Sequence, residues 1–219
     1  FVLILIQPDL GTASLVLMIA ALQIAFVRVE WKSVAVVAVT GLTTTVLAWN
    51  FVLYDYQKLR VLNFINPMRD PKGAGYHSIQ SMIAVGSGGV WGRGFQQGTQ
   101  SQLNFLPERH TDFIFSVTGE ELGFLGAVLL LGLYLALLVI ALEIAAQSRD
   151  LFGSLICAGV ISMWTFQILE NIGMTIGLMP ITGIPLPFMS FGSSFMVTNM
   201  MAVGMLLSVW TRRQGVSGI

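Results

Sequence analysis

The sequence predicts an all-α integral membrane protein, a polytopic helical bundle, and three observations carry that expectation. Only 10% of its 219 residues are charged, against about 25% in soluble domains. The mean hydropathy is +0.78, with 55% of the residues hydrophobic. The apolar runs recur at lengths near the ~20 residues that a helix needs to cross a bilayer.

Taken in order, residues 1–6 read as the tail of an earlier span. Five full spans follow, at roughly 10–27, 33–53, 118–142, 153–173 and 190–210. The chain opens on Phe1 inside an apolar run with no basic residues before it, which is not the pattern of a signal peptide. We expect the C-terminal part of a longer protein. Residues 1–219 form a single membrane domain, with one long loop at 54–112. Arg28, Lys32, Arg149, Arg212 and Arg213 all fall on one side if the five spans alternate. The positive-inside rule makes that side cytoplasmic and puts the C-terminus there. Trp31 and Trp210 then mark cytoplasmic ends and Trp49 an outer end. The long loop falls outside, and long loops translocate largely regardless of charge.

That loop holds Lys58, Arg60, Arg69, Lys72, Arg93 and Arg109, six of the eleven basic residues. A basic outer loop suggests an anionic ligand. "NPMRDPKGAGYH" carries turn residues throughout, and "SIQSMIAV" reads as a short helix on or dipping into the membrane. "GSGGVWGRGFQQGTQSQ" has six glycines in seventeen residues. Such backbone can approach a ligand and present N–H groups to an anion; it is equally compatible with a merely flexible loop. It has neither dinucleotide-fingerprint spacing nor the G-K-[ST] of a P-loop. Eleven basic and eleven acidic residues cancel, so net charge gives no reason to expect nucleic acid. The single cysteine, Cys157, excludes an intrachain disulfide and a multi-cysteine metal site.

"LPERHTDFIF" places Glu108, Arg109, His110 and Asp112 at the start of a span. An ionisable residue there needs a wet cavity or a partner; Asp112 could equally cap the helix that follows. Glu120, further along the same span, lies on broadly the same face as Asp112 but beyond contact. His110 has only His77 for company, too few for a histidine metal site. Arg109 suits an anion, because guanidinium meets phosphate in bidentate fashion, and Glu108 and Arg109 also read as solvated loop charges. Asp9 reads as a cap of the first full span. Gln167, Glu170 and Asn171 lie toward the outer end of the fourth, where polar groups face a protein interior. The polar residues thus gather at the outer face, as in a transporter or an enzyme acting on an anionic lipid. Composition and topology leave that choice open.

Five motifs then stand in order: "QPDLGTASLV", "DYQKLRV", "DPKGAGYHSIQSMIAVGSGGVWGRGF", "GTQSQLNFLPERHTDFIFSVTGEELGFLGA" and "NIGMTIGLMPITGIPLPFMSFGSS". Together they cover nearly the whole chain and resemble the shape, elongation, division and sporulation (SEDS) family of bacterial membrane proteins, most of all its elongation branch. The resemblance implies ten transmembrane helices in the full-length family, of which this chain would hold about the last six, the first of them truncated. It implies a multi-pass protein of the bacterial cytoplasmic membrane, with loop 54–112 extracytoplasmic. The implied activity is a peptidoglycan glycosyltransferase that polymerises lipid II on the outer face of that membrane during cell elongation and shape maintenance. The implied partners are a class B penicillin-binding transpeptidase and the elongation machinery, among membrane lipids and without nucleic acid. The family's essential aspartate, in its H-T-D-F motif, falls on Asp112.

The reaction joins a sugar hydroxyl to an anomeric carbon with inversion and expels undecaprenyl diphosphate. It needs a base and positive charge. An unperturbed aspartate, pKa ~3.9, is ionised at neutral pH, which makes Asp112 the expected general base. Lys58, Arg60, Arg93 and Arg109 are the candidates for the diphosphate, with Glu108, His110, Asn104 and Glu120 as further substrate-binding candidates. The sequence names no definite cofactor; a divalent cation, magnesium or manganese, is a candidate to share the diphosphate charge. The chain departs from the family at Asn104, where relatives often carry a carboxylate, and at Ser193, where they usually carry glycine. Two other classes compete: a lipid II flippase, and a non-catalytic scaffold for the transpeptidase.

Overall fold

A computed structural model describes residues 10–26, 35–36, 39–41, 43, 58–59, 62, 64, 66, 75–103, 105–106 and 108–214. Among the described residues all regular structure is helical: α1 (Leu10–Phe26), α2 (Tyr76–Ser87), α3 (Thr99–Gln102), α4 (Ile114–Ala146), α5 (Leu151–Thr175) and α6 (Ser193–Gln214). The spans expected at 10–27, 118–142, 153–173 and 190–210 coincide with α1, α4, α5 and α6. The span expected at 33–53 and the tail at 1–6 lie largely or wholly outside the described residues. Helices α4, α5 and α6 are each long and apolar enough to cross a membrane, as an integral membrane protein requires. "SIQSMIAV" forms most of α2.

Helix α5 is the hub. Half of its most apolar window is buried inside the protein, against about a tenth (11%) for α4. On α4, Leu129, Leu133 and Leu135 are exposed, as a lipid-facing stripe should be. Lipid tails are as apolar as leucine, so packing and hydrogen bonds, rather than apolar burial, hold such helices together. Buried polar pairs supply those bonds. Trp164 Nε1 on α5 donates to Asn199 Oδ1 on α6 at 2.8 Å. Ser81 Oγ on α2 donates to Thr175 O at the end of α5, 2.8 Å away. With that proton committed, Ser116 on α4 is the donor in its 2.7 Å contact with Ser81. Asp150 caps α5 by accepting from Gly153 N at 3.2 Å.

Helix α4 is broken at Gly123, where φ is 65° and ψ −163°, a region open in practice only to glycine. An unbroken helix would pair Phe124 N with Glu120 O and Leu125 N with Glu121 O. Here the glycine-rich loop takes all four groups. Arg93 N donates to Glu120 O and Gly94 N to Glu121 O, each at 3.0 Å. Phe124 N donates to Gly89 O at 2.9 Å and Leu125 N to Val90 O at 3.2 Å. Irregular backbone at the membrane survives only where its polar groups are paired within protein, and this loop and this kink pair each other. A Cβ on Gly88 or Gly92 would collide with the carbonyls of Gly119 and Glu121. The expectation that these glycines present N–H groups to an anion is therefore corrected: Arg93 N and Gly94 N are spent on the helix kink, and Gly92 N on Gly88 O.

Candidate functional site

The charged stretch of the fourth motif forms a tight turn, residues 108–113, immediately before α4. Glu108 opens it in the left-handed region, at φ 51°, a conformation that is strained for a residue other than glycine. Its carbonyl accepts from Thr111 N at 3.2 Å and Phe113 N at 3.3 Å. The Thr111 hydroxyl contacts the Glu108 carboxylate at 3.2 Å. The N-cap of α4 is Phe113, whose side chain makes no capping hydrogen bond. The capping reading of Asp112 is thereby corrected: the helix begins at Ile114, two residues beyond it.

The turn is fixed from the other side by the loop that joins α5 to α6, residues 176–192. Three successive carbonyls of the turn are each taken. His110 O accepts from Phe191 N at 2.8 Å, Thr111 O from Ser190 Oγ at 2.6 Å, and Asp112 O from Asn171 Nδ2 at 2.8 Å. Asn171, fully buried on α5, also donates to Ile184 O at 2.8 Å. The loop is deeply seated. Tyr134, eleven residues past the α4 kink and so ~16 Å along the helix, donates to Pro187 O at 2.6 Å. Phe188 packs edge-on against Trp164, with ring centroids 5.5 Å apart. Thr182 donates to Glu170 Oε1 at 2.9 Å. The Asp112 carboxylate takes no part in the three carbonyl bonds. It is half-buried, with one oxygen 3.1 Å from where a Cβ would stand on Gly183, whose φ of 77° suits glycine.

Beside the turn lies a cavity of about 540 Å³, lined by Ser101, Gln102, Arg109, His110, Thr118 and Glu121, with apolar Phe95, Ile114 and Leu122. Arg109 bonds to the Ser101 carbonyl and donates from Nε to His110 Nε2 at 3.1 Å. The turn thus has two faces: Arg109 and His110 line the cavity, while the Asp112 carboxylate lies against the α5–α6 loop.

The other sequence-predicted residues divide clearly. Glu120 is fully buried and faces α3, accepting from Gln100 N at 2.8 Å and Ser101 N at 3.0 Å, a carboxylate at a helix start. It does not line the cavity; its neighbour Glu121 does. Arg93 ties Ser87 O to Thr99 Oγ1, at 3.2 Å each. Lys58 is half-buried and does not line the cavity. Arg60 and Asn104 lie outside the described residues. Ser193 stands exposed at the start of α6, so the loss of a glycine there disturbs no close packing. Sequence reasoning singled out neither Tyr134 nor Ser190, and placed Asn171 only as inward-facing. Among the described residues no group of three or more His, Cys, Asp or Glu side chains stands together as a metal site.

Comparison with known proteins follows the same order. Residues 1–215 match the FtsW/RodA/SpoVE family model, described as "Cell cycle protein". The chain is 43% identical over 215 residues to the peptidoglycan glycosyltransferase MrdB of Escherichia coli (strain K12), covering 98% of this chain and 58% of that protein. It is 50% identical over 162 residues to the peptidoglycan glycosyltransferase RodA of Treponema pallidum (strain Nichols), covering 74% of this chain and 37% of that one. A chain in the solved structure described as "Structural coordination of polymerization and crosslinking by a peptidoglycan synthase complex" matches with TM-score 0.78 at 34% identity, over 97% of this chain and 59% of that chain. The chain therefore spans rather over half the length of MrdB.

Proposed function

We propose a function from the premise that this chain belongs to the FtsW/RodA/SpoVE family of cell cycle proteins: it forms the catalytic end of a peptidoglycan glycosyltransferase. The substrate is lipid II, taken from the outer face of the bacterial cytoplasmic membrane, and the reaction class is that named for MrdB and RodA. The partner is a class B penicillin-binding transpeptidase of the elongation machinery, a reading supported by the likeness to a chain of a peptidoglycan synthase complex.

One observation carries the site assignment. Asp112 is held through the main chain of its own turn, by Asn171, Ser190 and Phe191. Its main chain is thus fixed by neighbouring residues, which is what a positioned base requires. In the reaction, the 4-hydroxyl of one sugar attacks the anomeric carbon of the other from the face opposite the diphosphate. The new C–O bond forms as the C–O bond to diphosphate breaks. The hydroxyl proton passes to Asp112, and the electron pair leaves with the diphosphate. Arg109, on the cavity face of the same turn, meets the departing charge, with His110 beside it. Lys58 and Arg60 remain candidates for further contacts. We assign Glu120 and Arg93 to holding α3 and the glycine-rich loop in place rather than to holding substrate. An apolar groove of about 340 Å³ beside the α4 kink, lined by Val85, Phe115, Phe124 and Leu131 among others, suits the lipid tail. A divalent cation, magnesium or manganese, would add positive charge at the departing diphosphate.

The test is glycan-chain formation from lipid II by the purified complete protein with its transpeptidase, while crosslinking is inhibited. Polymer that persists under the inhibitor supports the reading. Transport of lipid II without polymer would favour a flippase, and neither activity would leave a scaffold.

A further inference from the structure

The opposite end of the bundle carries a second charged site. The turn from α4 into α5 and the last turns of α6 enclose a pocket of about 170 Å³, lined by Ser148, Arg149, Asp150, Phe152, Ser208 and Arg212 among others. Two guanidinium groups therefore border one small space. Among the described residues neither has a hydrogen-bond or ion-pair partner. The carboxylate in the lining, Asp150, is already committed to capping α5 through Gly153 N at 3.2 Å. Two arginines against one carboxylate leave the lining net positive, so the pocket favours an anion.

Its position says which kind. Helix α4 crosses the membrane with the Asp112 turn at one end and Arg149 just beyond the other, so the pocket sits at the opposite membrane boundary. Its rim is apolar and uncovered: Leu151 is 68% exposed, Phe152 70%, and Leu207 on α6 54%. A soluble anion would gain nothing from that rim, whereas acyl chains would lie along it. A zwitterionic headgroup would bring a cation toward two arginines. We propose that this pocket binds the phosphodiester of an anionic phospholipid in the leaflet opposite the Asp112 turn, held jointly by Arg149 and Arg212 with the Ser208 hydroxyl. The inference does not depend on the reaction proposed above.

The experiment uses the complete protein in nanodiscs of equimolar phosphatidylglycerol and phosphatidylcholine, then counts retained lipid by native mass spectrometry after detergent extraction. Retained phosphatidylglycerol should exceed phosphatidylcholine by about ten-fold, the order that two cations at a membrane surface supply. The excess should vanish in the Arg149→Gln/Arg212→Gln double variant. Millimolar inorganic phosphate should leave the wild-type ratio unchanged; displacement by phosphate would overturn the lipid assignment in favour of a soluble anion. Should the double variant fail to fold, photoreactive phosphatidylglycerol on the wild-type protein decides the matter. Crosslinks mapping to peptides that contain Phe152 or Arg212 support the site. Crosslinks elsewhere only, or an equal yield from photoreactive phosphatidylcholine, overturn it.

Discussion

Two irregular segments stand at the Asp112 end of the bundle, and they are held by opposite means. The glycine-rich loop, residues 88–98, is joined to α4 by main-chain bonds to main-chain groups, four of them at the Gly123 break. The α5–α6 loop, residues 176–192, is held largely by side chains: Tyr134, Asn171, Thr182 and Ser190. The first arrangement needs backbones in direct contact, and hence glycine. The second needs a few polar side chains at fixed places. The side-chain-held loop is hydrogen-bonded to the Asp112 turn through Phe191 N and Ser190 Oγ. Damage to the first should therefore show as lost folding, and damage to the second should reach the chemistry.

The largest effect belongs to the glycine contact. Gly92→Ala and Gly123→Ala each put a methyl group into opposing backbone at a positive φ. Strain and overpacking together should cost about 4 kcal/mol, read as a collapse of the thermal unfolding midpoint in detergent. Gly89 also has a positive φ but open space around it, so Gly89→Ala should cost only about 1 kcal/mol. Equal losses at Gly89 and Gly92 would break the claim that backbone contact holds this loop.

Asn171→Leu comes next and tests the other loop. It strips the donor from two carbonyls, Asp112 O and Ile184 O, for about 2 kcal/mol of stability. Because it loosens the turn that carries Asp112, turnover should fall by about 10²-fold with KM little changed. A variant that lost stability but kept its turnover would reduce Asn171 to a packing residue. The smallest effect is expected of Tyr134→Phe, which leaves Pro187 O without its donor but removes none of the three bonds to the turn. It should lower stability by about 1 kcal/mol and leave turnover nearly intact.

The same contrast marks what was legible in the sequence. Four of the five expected spans match helices, because long apolar runs report directly on length. The charged motif stood out in the sequence because ionisable residues at a membrane boundary are expensive. The glycine loop was visible as composition, but its partner was not: nothing in its residues says that its N–H groups meet a broken helix rather than an anion. The break itself turns on a single glycine in "EELGFLGA", one of two there. Asn171 carried a signal, as an amide inside a span, yet only the fold brings it to a carbonyl 59 residues away in the chain.

The central claim is that Asp112 acts through its carboxylate while its main chain holds it in place. Asp112→Asn keeps the carbonyl that Asn171 holds and removes the negative charge and the ability to take a proton. The measurement is the rate of glycan-chain formation from lipid II by the complete protein, matched for folded material against wild type. The account predicts an unchanged unfolding midpoint and a rate lower by roughly 10²–10⁴. Asp112→Glu should recover little, since a displacement of about 1 Å already costs on the order of 10²-fold. Near-normal polymerisation by Asp112→Asn would contradict the account and leave Asp112 without a chemical role.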